Sequence, residues 1–392
     1  MTSELVYIKR FLNMPLPKGQ SAFLWGARRT GKTTLLAQRF PDSVRYDLLE
    51  SDTFFRLSKE PHLLRQELAV LADEKKLRDP VIIDEVQKAP PLLDEVHWLI
   101  ENKRISFILC GSSARKLKRS HANMLGGRAW RFVLHPFTTQ ELGRKFDLMC
   151  ALNRGLIPSH YLDENYRLSI KAYISDYLKE EIQYEGLVRN LPAFARFLDT
   201  VPFSNGELVN YSNIAQECAV DSKTVAEYYR ILVDTMLGQF IEPFRKRRKR
   251  QTITSTPKFY LFDVGIAGGL ARRELNTNRG PEFGHAFEHL VFMELAAHTS
   301  YSRKDYDITF WRTKDGLEVD FVIGGGEIAI EIKGAPRLRP ADFKGIAAFK
   351  EEFRPKRSIV VSQEPAHRKL DSGIEVIPWK KFFTMLWAGE IV

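Results

Sequence analysis

The pattern of apolar and polar positions predicts alternating strands and helices in the first third of the chain. Short, continuous apolar runs lie at 22–25, 81–83 and 106–110, and such runs are typical of strands buried on both faces. The first run leads through a glycine-containing loop into an amphipathic helix that opens at Thr33. This order favours an α/β fold, doubly wound around a mainly parallel sheet.

The loop after the first strand fits the phosphate-binding pattern G-x-x-x-x-G-K-[ST] in full. Its glycines let backbone amides turn toward phosphate oxygens, its lysine supplies a cation for the β- and γ-phosphates, and a threonine hydroxyl is a ligand for Mg²⁺. A chance glycine turn before a helix is the alternative, which the strand–loop–helix context disfavours. The predicted ATP-binding residues are Gly26, Ala27, Arg28, Arg29, Thr30, Gly31, Lys32, Thr33 and Thr34.

An acidic pair, Asp84 and Glu85, ends the second apolar strand about fifty residues downstream. In phosphoryl transfer one carboxylate holds Mg²⁺ together with the loop threonine, Thr33, and a neighbouring glutamate polarises the attacking water. We therefore expect Asp84 to bind the metal and Glu85 to act as the base. A solvated strand end is the alternative for an isolated Asp-Glu pair.

Hydroxyl and guanidinium groups follow the third apolar strand. Ser112 is a candidate sensor of the γ-phosphate, and Ser112 or Ser113 is also suited to cap a helix expected to start near Ala114. Arg128 and Arg131 are candidate arginine fingers, acting in the same chain or from a neighbouring subunit of a homo-oligomer. A surface role is the alternative for each arginine.

The middle of the chain carries two short helical patterns, 211–217 and 221–232, separated by a tight turn. Six consecutive cations at 245–250 and an apolar strand at 258–262 follow. This order predicts a winged helix with a basic wing that contacts DNA phosphates. Two alternatives stay open: a solvated charged loop, and a winged helix that docks a protein.

The last third predicts a helix, three strands, a helix and a further strand, an α-β-β-β-α-β order. These elements are expected at 284–295, 308–312, 317–323, 327–333, 341–352 and 358–361.

Four charged residues in these elements form a candidate nuclease site. Glu331 and Lys333 share one face of a strand because side chains alternate with period two. Asp320 on the neighbouring strand and Glu288 on the helix complete a possible Mg²⁺ shell, with Lys333 orienting water or stabilising phosphate. The motif resembles that of PD-(D/E)XK nucleases. A solvated strand face, or a module that binds without cutting, is the alternative.

The segments 26–33, 81–86, 111–114 and 127–128 together resemble the AAA+-type ATPases of bacteria and archaea that carry a C-terminal DUF4143 region. This resemblance spans nearly the whole chain. It implies an N-terminal ATPase domain, a winged-helix-like middle and a C-terminal module similar to PD-(D/E)XK nucleases. The chain departs from the wider AAA+ pattern at Ser112, where many relatives place asparagine.

Composition narrows the class of protein. The 392 residues carry a net charge of +10 and a pI near 9.3, which favours polyanionic partners. Three widely spaced cysteines suit neither a disulfide framework nor a zinc site and suggest a reducing cytoplasm. No apolar run has the length of a membrane span, so we expect no membrane association.

We expect three domains: an ATPase domain at 1–152, a helical and winged-helix-like region at 153–275, and a nuclease-like α/β domain at 276–392. The predicted function is ATP-driven binding or processing of DNA, with metal-dependent nuclease activity as an open possibility. The alternative is a regulatory nucleotide switch whose C-terminal module binds a protein partner without cleaving DNA.

Overall fold

The computed structural model describes residues 7–113, 125–178, 188, 190–245 and 256–392, apart from the side chains of 176–178. Contacts divide the chain into two compact units. The N-terminal unit comprises Arg10–Pro136 and Ile231–Leu237. The C-terminal unit comprises Met1–Lys9, Phe137–Arg230 and Gly238–Val392.

The N-terminal unit is built on a five-stranded sheet in which every strand pair is parallel. The strand order is β2-β3-β4-β1-β5, so the first strand lies between the fourth and fifth. This confirms the predicted α/β fold and parallel sheet. The strands are β1 (Ser21–Trp25), β2 (Arg45–Asp47), β3 (Val81–Asp84), β4 (Phe107–Gly111) and β5 (Ala129–Val133).

Four helices cover this sheet in the described residues. The apolar faces of the second, third and fourth helices contribute leucines and a valine to one core with the strands, including Leu64, Leu68 and Val96. The helix expected near Ala114 lies outside the described residues. The helices are α1 (Lys32–Arg39), α2 (Ser51–Lys59), α3 (His62–Asp73) and α4 (Leu92–Lys103).

The C-terminal unit begins with short helices whose starts are set by side-chain caps. Thr138 and Glu141 form a reciprocal capping box, and Asn190 and Asn210 each accept a hydrogen bond from a first-turn amide. The helices before the second sheet are α5 (Thr139–Leu142), α6 (Leu148–Arg154), α7 (Pro158–Tyr161), α8 (Tyr166–Ala172), α9 (Leu191–Thr200), α10 (Tyr211–Cys218) and α11 (Ser222–Asp234).

The second sheet has eight strands in the order β12-β13-β11-β10-β9-β8-β6-β7. It mixes parallel and antiparallel pairs. Its strands are β6 (Gly238–Pro243), β7 (Lys258–Leu261), β8 (Ile308–Arg312), β9 (Glu318–Ile323), β10 (Ile328–Lys333), β11 (Arg357–Ser362), β12 (Arg368–Lys369) and β13 (Glu375–Pro378). The remaining helices are α12 (Val264–Leu270), α13 (Pro281–Ser302), α14 (Lys344–Phe353) and α15 (Trp379–Trp387).

The order α13-β8-β9-β10-α14-β11 confirms the predicted α-β-β-β-α-β arrangement. Helix α13 lies against one face of the sheet, where Phe287 and Leu290 share a core with Ile330. On the opposite face of the sheet, Phe349 of α14 packs with Val322 in a second core. The sheet is therefore the middle of three layers.

The β6–β7 hairpin extends this sheet, because Glu242 of β6 pairs with Thr309 of β8. Strands from both sides of the expected boundary at residues 275 and 276 thus belong to one sheet. The division into three domains stays a prediction.

An aromatic cluster joins the hairpin to helices α9 and α11. Tyr229 lies at the centre, with ring centroids 5.0 Å from Phe197, 5.5 Å from Phe240 and 4.8 Å from Phe259. Phe194 and Phe197 are buried, so these aromatics belong to the core. Among the described residues, no helix has both the length and the apolar character needed to cross a membrane.

Candidate functional site

The phosphate-loop sequence forms the turn between β1 and α1, and both of its glycines are required there. Gly31 has φ 92°, a left-handed conformation that L side chains rarely adopt. At Gly26, an added Cβ atom would lie 2.6 Å from the carbonyl oxygen of Leu134. The backbone of the loop therefore has a shape that other residues at these two positions would disturb.

Polar side chains of the loop are held by its own carbonyl groups. The Lys32 ammonium donates to the carbonyl oxygens of Gly26 at 2.9 Å and Ala27 at 3.0 Å, and its side chain is buried. Thr30 donates to the Ala27 carbonyl at 2.8 Å. Lys32 thus folds across the loop, where its charge faces the space that phosphates would take.

The remaining loop positions differ in exposure. Arg29 is exposed and has φ 62°, whereas Arg28 is half-buried. Thr33 and Thr34 are exposed in the first turn of α1. The side chains of Arg29 and Thr34 are therefore open to solvent, and their predicted part in nucleotide binding stays a prediction.

The loop meets the acidic pair through one short contact. Thr33 donates from Oγ1 to Asp84 Oδ2 at 2.7 Å, although the two residues are 51 positions apart in the sequence. The other oxygen of Asp84 accepts from the Glu85 amide at 3.0 Å. A hydroxyl and a carboxylate at this separation suit Mg²⁺, which usually takes one or two protein oxygens and completes its shell with phosphate and water.

Glu85 lies in a network with Gln87 and Ser112. The Gln87 amide donates to Glu85 Oε2 at 2.5 Å and to Ser112 Oγ at 3.2 Å, and Ser112 donates to Glu85 Oε2 at 3.4 Å. Glu85 has φ 55°, an uncommon left-handed conformation for a non-glycine residue, and all three side chains are buried. The network connects the candidate base to the end of β4.

Arg128 lies at the other end of the sheet. It precedes β5, whose first residue Ala129 pairs with Ser21 at the start of β1, and it forms an exposed ion pair with Glu101. The length of β1 separates it from the loop, about 16 Å at the usual rise per residue. Arg128 is therefore not placed to act as an arginine finger within its own chain, and a role in a neighbouring subunit stays a prediction.

The second candidate site is an acidic cluster in the C-terminal unit. The register that pairs Ile330 with Phe321 brings Glu331 and Asp320 side by side on β10 and β9. Asp320 Oδ2 accepts from the Ile332 amide at 2.7 Å, and Glu331 Oε1 lies 2.6 Å from the Lys333 ammonium. Two of the predicted charged residues therefore lie on neighbouring strands.

Burial changes the proton affinity of both carboxyl groups. It raises the pKa of Asp320 well above its usual range, with the nearby charges of Glu331 and Glu288 adding to the effect. It raises the pKa of Glu331 to about 7, although the neighbouring Lys333 opposes the rise. Asp320 therefore resists ionisation near neutral pH, whereas Glu331 ionises as the pH rises through about 7.

Glu288 is turned toward a different pair of partners. Its Oε1 atom accepts from the Tyr260 hydroxyl at 2.5 Å and lies 3.6 Å from the Lys258 ammonium. In the described part of the chain, no three His, Cys, Asp or Glu side chains are grouped to hold a metal ion. Hydrogen bonds and lysine charges engage Glu288, Asp320 and one oxygen of Glu331, whereas Glu331 Oε2 is buried without a hydrogen-bond partner. The metal role predicted for these three residues stays a prediction.

Family models match three successive parts of the chain. Residues 18–143 match the model described as an AAA domain. The chain contains an AAA domain. Residues 146–277 match a domain of unknown function, DUF8612, and residues 283–382 match another, DUF4143. The AAA domain holds the phosphate loop and the acidic pair, and the DUF4143 region holds the acidic cluster.

Three solved structures match the chain at low sequence identity and at TM-scores below 0.5. The ORC1 protein of Aeropyrum pernix in complex with DNA is 14% identical, with 66% of this chain and 87% of that chain covered and a TM-score of 0.26. The ADP form of Aeropyrum pernix ORC2 is 12% identical, with 64% and 88% covered and a TM-score of 0.32. AMPPCP-bound DnaA from Aquifex aeolicus is 16% identical, with 55% and 81% covered and a TM-score of 0.27. No curated protein matches the chain.

Two residues of the AAA domain site were missed by reasoning from the sequence. Gln87 carried a weak signal, since it lies two positions after the candidate base. No local sequence signal pointed to Arg10. Its guanidinium donates to the carbonyl oxygens of Thr30 and His135, each at 2.6 Å, and so connects the phosphate loop to the segment after β5. Its partners are distant in sequence, so no local pattern reveals them.

Proposed function

We propose that this chain is an ATP-hydrolysing protein whose nucleotide state controls how its β6–β7 hairpin binds DNA. The contact that supports the proposal most strongly is the 2.7 Å hydrogen bond between Thr33 and Asp84. It joins the phosphate loop to the acidic strand end, as phosphoryl transfer with Mg²⁺ requires. The match of residues 18–143 to an AAA domain agrees with this chemistry.

The loop residues bind and orient the triphosphate. Backbone amides between Gly26 and Thr33 surround phosphate oxygens, and Lys32 exchanges its bonds to loop carbonyls for bonds to the β- and γ-phosphates. When bound between Thr33 and Asp84, Mg²⁺ supplies charge neutralisation for the phosphates. Arg10 keeps the loop in place through its bonds to Thr30 and His135.

Glu85 takes a proton from the attacking water, and its neighbours control when it does so. In the structure described here, Gln87 and Ser112 both donate to Glu85 Oε2. A carboxylate held by two donors is a weaker base, so these bonds must loosen for the water to be activated. Contact of the γ-phosphate with Ser112 is the event that we propose loosens them.

Replacement of Glu85 tests this assignment. In Glu85→Gln we expect the rate of ATP hydrolysis to fall about 100- to 10,000-fold, while ATP affinity changes little. Steady-state phosphate release and equilibrium binding of a fluorescent ATP analogue measure the two quantities. Glu101→Gln is the matched control, because Glu101 is an exposed carboxylate at the other end of the sheet. Unchanged hydrolysis in Glu85→Gln would refute the assignment.

The DNA-binding part of the proposal is supported by the elements around the hairpin. Helix α9, bridges from Asn205 and Leu208 to β7, helices α10 and α11, and the hairpin follow the order of a winged helix. Arg245 is exposed at the end of β6, and the other five cations of the basic run, 246–250, lie outside the described residues. Six adjacent cations at a wing suit DNA phosphates.

DNA affinity in defined nucleotide states tests the coupling. We expect the affinity for duplex DNA to differ between ATP, ADP and no nucleotide, and to fall steeply with salt. Replacement of all six cations at 245–250 by alanine is expected to weaken binding across sequences and flatten the salt dependence. Fluorescence anisotropy at several salt concentrations measures both.

A control with the same charge change separates a local contact from net charge. It neutralises six exposed cations outside the hairpin: Lys9, Lys18, Lys59, Lys75, Lys76 and Arg78. Equal weakening in both variants would show that only net charge matters. Equal affinity in all nucleotide states, with little salt dependence, would favour instead a nucleotide switch that docks a protein partner.

A further inference from the structure

A buried lysine of the hairpin lies inside the acidic cluster. Lys258 opens strand β7 and is 3% exposed. Its ammonium lies 2.5 Å from Glu318 Oε1 and 3.6 Å from Glu288 Oε1, and 5.5 Å from the centre of the Phe310 ring. A lysine is almost never buried to this degree unless opposite charges compensate it. Lys258 therefore belongs to the cluster as a charge partner.

The other charges of the cluster are also engaged with one another. Arg312 pairs with the second oxygen of Glu318 at 3.1 Å, and Lys333 pairs with Glu331 at 2.6 Å. The Asp320 carboxylate accepts from a backbone amide. Three cationic side chains thus face Glu288, Glu318 and Glu331, and burial keeps the fourth acidic group, Asp320, from ionising readily. The protein itself supplies most of the positive charge that the cluster needs.

This arrangement competes with a divalent metal ion. A metal bound by Glu288 and its neighbours would stand close to the Lys258 ammonium in a region of low dielectric constant, where like charges repel strongly. Lys258 is 3% exposed, and its ammonium lies between carboxylates of α13 and β9, so it is not free to turn into solvent as a surface lysine is. The ammonium and the metal are therefore alternatives.

We infer that the Lys258 ammonium is the resident cation of this acidic cluster, in the place that a divalent metal ion holds in a metal-dependent nuclease. The cluster then fastens the second strand of the β6–β7 hairpin to α13 and β9 through Glu288 and Glu318. Lys258 is a positioning residue for β7, the strand of the hairpin that follows the basic run. The DUF4143 region holds DNA-binding elements in place and does not cut DNA.

Binding of Mn²⁺ alone to the full chain, without nucleotide, tests this inference. The four proteins are the unmodified chain, Glu331→Gln, Lys258→Met and the double variant, and electron paramagnetic resonance counts bound Mn²⁺. We expect the unmodified chain and Glu331→Gln to bind equal amounts. Lys258→Met should gain about one Mn²⁺ per chain, since its carboxylates lose their cation, and the double variant should lose that gain. Any Mn²⁺ that binds at the phosphate loop is present in all four proteins, so it does not affect the differences in bound Mn²⁺ between them.

Three results would overturn the inference. The first is an unmodified chain that binds an Mn²⁺ ion which Glu331→Gln removes. The second is a folded Lys258→Met protein that gains no Mn²⁺. The third is Mn²⁺-dependent cleavage of labelled single-stranded, duplex or branched DNA that disappears in Lys333→Ala. The first and third comparisons do not require Lys258→Met to fold, so the inference stays testable if that variant is unstable.

Discussion

The phosphate loop and the acidic cluster use similar side chains for opposite purposes. In the loop, the Lys32 ammonium donates to the backbone carbonyls of Gly26 and Ala27, which a phosphate can replace. In the cluster, Lys258 and Lys333 are paired with carboxylates of the chain itself. The comparison shows that a buried lysine beside an acidic motif indicates a ligand site only when its charge is left for the ligand.

The two arrangements also differ in what they contribute to stability. An ammonium that donates to neutral carbonyls contributes about 1.5 to 3 kcal/mol per hydrogen bond, and the cost of burying its charge offsets part of that contribution. Removal of a buried lysine from its carboxylates leaves uncompensated charge, a larger loss of about 3 to 5 kcal/mol. Mutations at the two sites therefore separate a binding function from a structural one.

The largest expected effect is on the stability of the cluster. Lys258→Met keeps most of the side-chain volume and leaves the half-buried carboxylates of Glu288 and Glu318 without their ammonium partner, although Glu318 keeps Arg312. We expect the free energy of unfolding to fall by about 3 to 5 kcal/mol. Urea-induced unfolding followed by circular dichroism measures it, with the exposed Lys344→Met as control. A fall below about 1 kcal/mol would mean that the cluster tolerates loss of its cation, against the comparison.

The loop should show the reverse behaviour. In Lys32→Ala we expect ATP hydrolysis to fall about 100- to 1,000-fold, because a donor aimed at the developing phosphate charge is lost. The free energy of unfolding should change by only about 1 to 2 kcal/mol. Lys103→Ala is the control, since that lysine pairs with Asp73 away from the loop. Hydrolysis near the original rate, combined with severe destabilisation, would contradict the distinction between the two lysines.

A third test concerns Glu294, a buried carboxyl group that accepts hydrogen bonds from neutral donors. Glu294 accepts from the Thr139 amide, the Thr139 hydroxyl and the Trp387 indole. Burial raises its pKa to about 7, although these hydrogen bonds oppose the rise. The folded state therefore binds the proton more tightly than the unfolded state. The stability that this provides is complete below the unfolded pKa near 4.5 and is lost as pH rises toward 7.

Glu294→Gln removes that pH dependence. Between pH 4.5 and 7.5 we expect the unmodified chain to lose about 3 kcal/mol relative to the variant, by the usual conversion of a pKa shift into free energy. Urea unfolding at four pH values measures the difference, and exposed Glu351→Gln is the control. Parallel stability profiles for the two proteins would show that Glu294 is ionised in the folded state.

The smallest expected effect refines the account of α13, the helix that carries Glu288. Gly284 lies in its second turn, and an added Cβ atom would meet nothing within 4 Å. Gly284→Ala should stabilise the chain by about 0.5 to 1 kcal/mol, because alanine loses less backbone entropy in a helix. Urea unfolding tests this, and Gly26→Ala provides the contrast of a glycine that has no room for a Cβ atom. Destabilisation by Gly284→Ala would mean that α13 is constrained at its start.

Local patterns in the sequence predicted the elements of both regions well. The apolar runs became β1, β3 and β4, and the C-terminal order of helices and strands agrees with the prediction. The phosphate loop also could be located, because its glycines, lysine and threonine are adjacent. These features depend on residues that are close together in the sequence. There the spacing of apolar residues and the residue types indicate the backbone conformation directly.

The tertiary structure decided which charged groups meet. Nothing near Lys258 in the sequence indicates its carboxylate partners, which lie on α13 and β9 and reach it only because β6 pairs with β8. Arg128 follows a glycine pair that suggested a phosphate contact, yet parallel pairing of β5 with β1 places it at the far end of the sheet. The sequence by itself determined the elements and the loop, while strand order and packing determined the electrostatic partners, since long-range contacts depend on how the whole sheet is assembled.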